Sequence, residues 1–145
     1  MKKNLTFAIA ALSLVTMLLG PTAIHADGME PAGTCSNATL KGSWGYYRTG
    51  TNNVVEVAGP YAGVGILFAD GNGNAKRRQT VSFNGSYQKN TASFLYEVQP
   101  DCTGRLLTKD GNEFAWLVIV DGGKEFYFIS KNNQTIYGVG KRINP

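Results

Sequence analysis

Eight short runs of alternating apolar and polar residues, each closed by a turn signal, constrain this chain more than any single motif. They read "LKGSWGYYRT" (40–49), "PYAGVGILFAD" (60–70), "AKRRQTVSF" (75–83), "ASFLYEVQ" (92–99), "TGRLLTK" (103–109), "EFAWLVIV" (113–120), "KEFYFIS" (124–130) and "TIYGVGKRI" (135–143). Between them lie "DGNG", Asn84-Gly85, Pro100-Asp101, "DGN", "DGG" and "KNNQ". Such dipeptides supply the positive φ values and fixed corners that tight turns need. No stretch carries a convincing helical period. Mostly short connections predict an antiparallel meander, and eight strands are enough to close one into a barrel without free edges. A sandwich with Greek-key crossings is the alternative, and short local turns disfavour it. The fold class expected is therefore all-β, an eight-stranded up-and-down barrel over residues 39–145.

The start of the chain belongs to a different kind of segment. Lys2 and Lys3 precede an apolar run from Phe7 to Leu19, and Ala23-Ile24-His25-Ala26 offers small residues for cleavage. This is the pattern of a secretory signal peptide over residues 1–26, with an apolar run short for a membrane span. The mature protein is expected to be exported, periplasmic or extracellular. Of 145 residues, about 119 would then remain, enough for one domain with one core. Residues 27–38, opening "DGMEPAGT", read as a flexible leader.

Cleavage also removes chemistry. The single histidine, His25, lies before the cut. Nucleophile activation by imidazole is then closed to the mature chain. Loss of Lys2 and Lys3 lowers the formal charge from +4 to +2. So weak a field argues against nucleic acid or an anionic membrane as partner. Cys35 and Cys102 are the only cysteines. In an oxidising compartment they are expected to form one structural disulfide. Asp70, Asn72 and Asn74 begin like a calcium loop, but Ala75 and Val81 stand where Gly and Glu are required, so the segment reads as a hairpin turn. No metal and no cofactor are expected.

Alternation divides each strand into two faces. One set holds Leu40, Gly42, Trp44 and Tyr46; another Ala92, Phe94, Tyr96 and Val98; a third Phe114, Trp116, Val118 and Val120; a fourth Phe126 and Phe128. These are expected to point inward. Arg77 shares parity with Val81 and Phe83, which leaves it either inward, facing an anionic group, or at a solvated rim. The candidate cavity residues are thus Tyr46, Arg77, Phe94, Tyr96, Phe114, Trp116, Phe126 and Phe128. Whether these rings fill the barrel or line a hollow stays open, since Gly42, Gly63, Gly65, Gly138 and Gly140 leave room. On the other faces Leu117, Ile119, Tyr127 and Ile129 offer a second apolar surface.

The pair Gly42 and Trp44, as Gly-x-Trp near the start of the first strand, resembles the calycin signature of lipocalins and avidins. That resemblance implies closure of one barrel end by Trp44, with Lys141 or Arg142 of the last strand across its ring. The closure set is Gly42, Trp44 and Arg142. The lipocalin turn before the seventh strand is replaced by Asp121-Gly122-Gly123, and the spaced tryptophans with which avidins hold biotin are missing. The chain also resembles small exported bacterial proteins of unassigned role, through Cys35 to Trp44, Gly63 to Gly73, and Asp101 to Gly104. That second resemblance speaks for the fold; the Gly-x-Trp closure and the inward aromatics lead to the expectation of a non-enzymatic binding protein for a small, mostly apolar molecule. The alternative is a protein-interaction module, such as an inhibitor of a secreted enzyme or a cell-surface component. A cofactor-free cyclase or isomerase, acting by confinement, is the weaker third reading.

Overall fold

The computed structural model describes residues 34–131 and 134–143. The signal peptide expected over 1–26 and most of the leader lie outside the described residues. Eight strands follow in chain order: β1 (Gly42–Asn52), β2 (Gly59–Ala69), β3 (Asn74–Phe83), β4 (Ser86–Val98), β5 (Thr103–Leu107), β6 (Glu113–Val120), β7 (Glu125–Ser130) and β8 (Gln134–Arg142). Each pairs antiparallel with the next, and β1 pairs with β8, so the sheet closes into an up-and-down barrel. No helix among the described residues is long and apolar enough to cross a membrane.

Local chemistry accounts for the corners. Asn84 and Gly85 take φ of 48° and 89°, the pair of positive values a two-residue hairpin turn requires. They join Phe83 directly to its partner Ser86. At the β2–β3 corner the Asp70 carboxylate accepts from the backbone N–H of Asn72 (2.7 Å) and of Asn74 (3.0 Å), and from the Asn74 side chain (2.7 Å). These bonds, led by the Asn74 amide, hold its pKa below the usual carboxylate value. The carboxylate serves the turn.

Strand β4 begins at Ser86, six residues before the run that alternation marks at 92–99. Residues 86–91 are exposed, so both faces are wet and no apolar period can form. Pairing with β3 carries them nonetheless.

The expected inward set on β6 needs correction. Consecutive residues Leu106 and Leu107 of β5 pair with Ala115 and Glu113 of β6. Phe114 is the extra residue of a β-bulge, and a bulge resets alternation by one. Phe114 packs against the core, and beyond it the buried residues are Ala115, Leu117 and Ile119. Trp116 and Val118 are turned outward, at 47% and 38% exposure. Trp116 is therefore removed from the barrel interior, and Leu117 and Ile119 belong to the core rather than to an outer face.

The larger of two buried clusters includes Trp44, and a smaller one, Tyr61, Val81 and Ile136 with Phe83 against it, lies toward the other end. Trp44 is fully buried, and its indole N–H donates to the Leu40 carbonyl at 2.8 Å. The Arg142 guanidinium lies 4.4 Å from the centre of its ring. Arg142 also donates to the carbonyls of Lys41, Thr39 and Gly123. A 3-10 turn, Asn37–Leu40, covers the Trp44 end. It is held from the side by Tyr96, whose hydroxyl donates to the Asn37 carbonyl (3.1 Å) and accepts from the Gly71 N–H (2.8 Å). Gly42, at φ 126°, sits where a Cβ would come within 2.9 Å of the Arg142 guanidinium. The glycine is required both by the backbone and by the arginine.

Cys35 and Cys102 form a disulfide with Cα atoms 5.0 Å apart. The bridge fixes the end of the expected leader to the β4–β5 corner, where the Cys35 N–H also donates to the Pro100 carbonyl. A link spanning 67 residues stabilises by roughly 4 kcal/mol in the chain-entropy treatment.

Removing the indole leaves a cavity under the 3-10 turn and strands the Leu40 carbonyl. Trp44→Ala should therefore cost about 3–5 kcal/mol in urea-induced unfolding. A near-native midpoint would refute the closure by Trp44.

Candidate functional site

The barrel interior is layered. Large side chains fit because glycines stand beside them on the neighbouring strands. Tyr46 lies between Gly65 and Gly140, and Arg48 between Gly63 and Gly138. The glycines of β8 also make way for rings: a Cβ at Gly140 would run into Phe126, and one at Gly138 would meet Phe128 at 2.8 Å. Space that the glycines leave is thus taken by phenyl groups. Trp44, Phe126 and Phe128 follow one another as edge-on or tilted contacts, with centroids 5.1 and 6.0 Å apart. Phe94 meets Phe114 at 5.5 Å. What remains among Tyr46, Leu67, Phe94, Leu106, Phe126 and Phe128 is a void of about 30 Å³, the share of liquid volume of a single water. The deep barrel is filled.

Above it the interior turns polar. Gln79, buried on β3, receives the Tyr46 hydroxyl (2.7 Å) and an Arg48 Nη2–H (2.9 Å) on its Oε1. Its own amide donates to Asn90 Oδ1 at 2.8 Å. Arg77 projects inward from the same strand, 5.8 Å from the centre of the Phe94 ring. Arg48 lies 4.8 Å from the centre of the Tyr61 ring. This layer opens into a cavity of about 310 Å³ at the end of the barrel opposite Trp44. Its polar wall is Arg48, Arg77, Gln79 and Asn90; its apolar wall is Tyr61, Phe83, Phe114 and Ile136. Ser130, Lys131 and Gln134 form the rim. A wider groove of about 640 Å³ crosses β2, β3 and β4. It runs along strand sides where Val64, Ile66 and Arg78 meet solvent, and it touches Gln79 and Asn90 but neither Arg48 nor Arg77.

Electrostatics in the mouth follow from burial. Burial pushes the Tyr46 and Tyr61 hydroxyls above the usual phenol value, and the charges of Arg77 and Arg48 pull both back down. Burial likewise lowers the Arg48 guanidinium, with Arg77 adding to the effect and Tyr61 opposing it. Two positive charges therefore act on one small volume.

The residues singled out from the sequence divide into three places. Tyr46, Arg77, Phe94, Phe126 and Phe128 surround the small void, and Arg77 and Phe114 reach the open cavity. Tyr96 belongs to the closed end, 1% exposed, with its hydroxyl engaged by the cap. Trp116 lies on the outside, beneath the Lys131 ammonium at 5.2 Å. Six residues of the cavity wall were not among the candidates: Arg48, Tyr61, Gln79, Phe83, Asn90 and Ile136. Parity places Arg48 on the Trp44–Tyr46 face and Gln79 on the Arg77–Val81 face, but only the closed sheet brings those faces to one cavity.

With donors and charge on one wall and rings on the other, the mouth can hold and orient an amphipathic small molecule. The sequence matches no protein-family model and no curated protein.

The bulge makes a direct prediction. Phe114→Ala should cost about 2–3 kcal/mol, as for a partly buried ring. Trp116→Ala, which loses only an exposed ring and its contact with Lys131, should cost no more than about 1 kcal/mol. Equal costs in chemical denaturation would refute the bulge-shifted facing.

Proposed function

We propose that this chain is an exported, calycin-type barrel that binds one small organic molecule in its mouth and performs no chemistry on it. The observation that carries the reading is the asymmetry of the ends. One is sealed by Trp44, Arg142 and the 3-10 turn. The other opens into about 310 Å³, at the lower edge of the range for small-molecule sites. Export rests on the signal pattern of residues 1–26, and the Cys35–Cys102 bridge is consistent with it. A mostly apolar ligand would find Phe83, Phe114 and Ile136 on one side only. Because the deep interior is filled, such a ligand would sit across the mouth instead of running down the barrel axis.

Native mass spectrometry of the protein exported by its own signal tests this. The expected result is a stoichiometric adduct that extraction releases, and that is lost when Ile136→Trp fills the cavity. A retained adduct in a folded Ile136→Trp protein would place the ligand elsewhere.

A second reading, a protein-interaction module, is favoured by the outer surface. Val64 and Phe68 of β2, Tyr47 of β1, Tyr137 of β8, Ile129 of β7 and Trp116 of β6 are all exposed. They lie on five strands that are neighbours around the barrel. Contiguous apolar patches of this kind mark contact surfaces. Affinity capture from the native culture medium should then return one stoichiometric partner, lost on Tyr47→Lys with Phe68→Lys. A protein that stays alone counts against this reading.

A further inference from the structure

Arg77 makes no hydrogen bond or ion pair among the described residues. Its Nε is sealed in the barrel wall without an acceptor, and its contact is with the face of Phe94. Arg48 has one hydrogen bond, to Gln79, and its Nε is sealed in the same way. The Tyr61 hydroxyl beside them has the Arg48 guanidinium as its only polar contact and meets no acceptor among the described residues. Gln79 Oε1 already takes two donors, and Asn90 Oδ1 is taken by the Gln79 amide. No carboxylate lines the cavity among the described residues. Lys131 has its own partner, Glu113 at 3.0 Å, outside the ring of interior groups.

Charges drawn partly out of water are normally paired, and Arg48 and Arg77 are both half-buried with their Nε atoms sealed. Two guanidiniums here share a small volume with no anion. Arginine stays charged even when burial lowers its pKa. Neutralisation by proton loss is thus closed, and neutralisation by a ligand is open. We infer that the mouth recognises a small organic carboxylate. Its two oxygens face Arg48 and Arg77, and its apolar body lies against Phe83, Phe114 and Ile136. Guanidiniums bind carboxylates through charge-assisted hydrogen bonds in matching planes. The cavity has the volume of roughly ten waters, room for an aryl or short branched acid and no long chain. This inference rests on the binding reading above and adds the class of ligand to it.

The test pairs benzoate with its neutral isostere benzamide, titrated into the ¹⁵N-labelled mature protein. The Nε–H resonances of Arg48 and Arg77 are followed, assigned by their loss in Arg48→Gln and Arg77→Gln. Benzoate should shift both resonances and bind at least ten-fold more tightly than benzamide. Either substitution should weaken benzoate ten-fold or more, and in Arg77→Gln the melting temperature should hold or rise, since an unpaired charge has been removed. Equal shifts in the mouth with both compounds would overturn the carboxylate inference and leave binding in the mouth standing. No shift in any mouth resonance at millimolar concentration of either compound would overturn both. A melting temperature that falls in Arg77→Gln with benzoate affinity unchanged would make Arg77 a packing residue and overturn the inference.

Discussion

The architecture depends on the stacking of Arg142 on Trp44. A barrel built from a meander has its first and last strands far apart in sequence and must bring them together. Here the joining pair is Trp44 opposite Arg142 across the β1–β8 ladder. The guanidinium covers the ring and spends its donors on the carbonyls of Thr39, Lys41 and Gly123. Those carbonyls belong to the end of a short 3-10 turn and to the β6–β7 corner, places where the backbone runs out of donors of its own. One side chain thus closes the sheet, caps the turn and ties in a corner. The cost is borne at Gly42, which must have neither Cβ nor ordinary φ.

From this sealed end the interior changes character by steps. The first layer is closely packed: indole, phenyl and leucine leave about 30 Å³, with Arg48 and Arg77 also on its wall. The second is a network centred on Gln79, whose oxygen is saturated by Tyr46 and Arg48. The third is open and carries charge. Each step is set by what the adjacent glycines allow. Gly65 and Gly140 admit a tyrosine, and Gly63 and Gly138 admit an arginine. The same period of two that arranges the core therefore arranges the mouth.

Much of the fold was legible because turns and alternation are local. Asn84-Gly85 dictates its own hairpin, and Asp70 with Asn74 its own corner. The eight strands and their antiparallel order follow from such features, while the disulfide follows from the presence of only two cysteines in a chain expected to be exported. Two things escaped a local reading. Residues 86–91 pair with β3 yet bury neither face, so they carry no periodic signal. The bulge at Phe114 leaves the sequence alternating while the structure skips a residue, because strand pairing is counted across to β5 and not along β6. Trp116 and Leu117 exchange sides as a result. For the interior, the rings were visible as a stripe, but the polar layer was not. Arg48, Gln79 and Asn90 are ordinary surface residues by composition. Only closure of the sheet makes their shared facing a cavity.

That closure gives the polar layer its meaning. An open sheet with Arg48 and Arg77 on one face would leave both in water, where two like charges repel weakly. Closing the sheet brings both charges to bear on the same tyrosines. Stability alone would favour an apolar pair at these positions, since hydrophobic replacements for buried charges are often neutral or better. Residues that break a local rule without a structural return are the ones expected to serve a site. The closed end carries no such residue: its arginine is fully bonded. The contrast between Arg142, with every donor group placed, and Arg77, with none, separates the part of the barrel that holds itself together from the part that awaits something else.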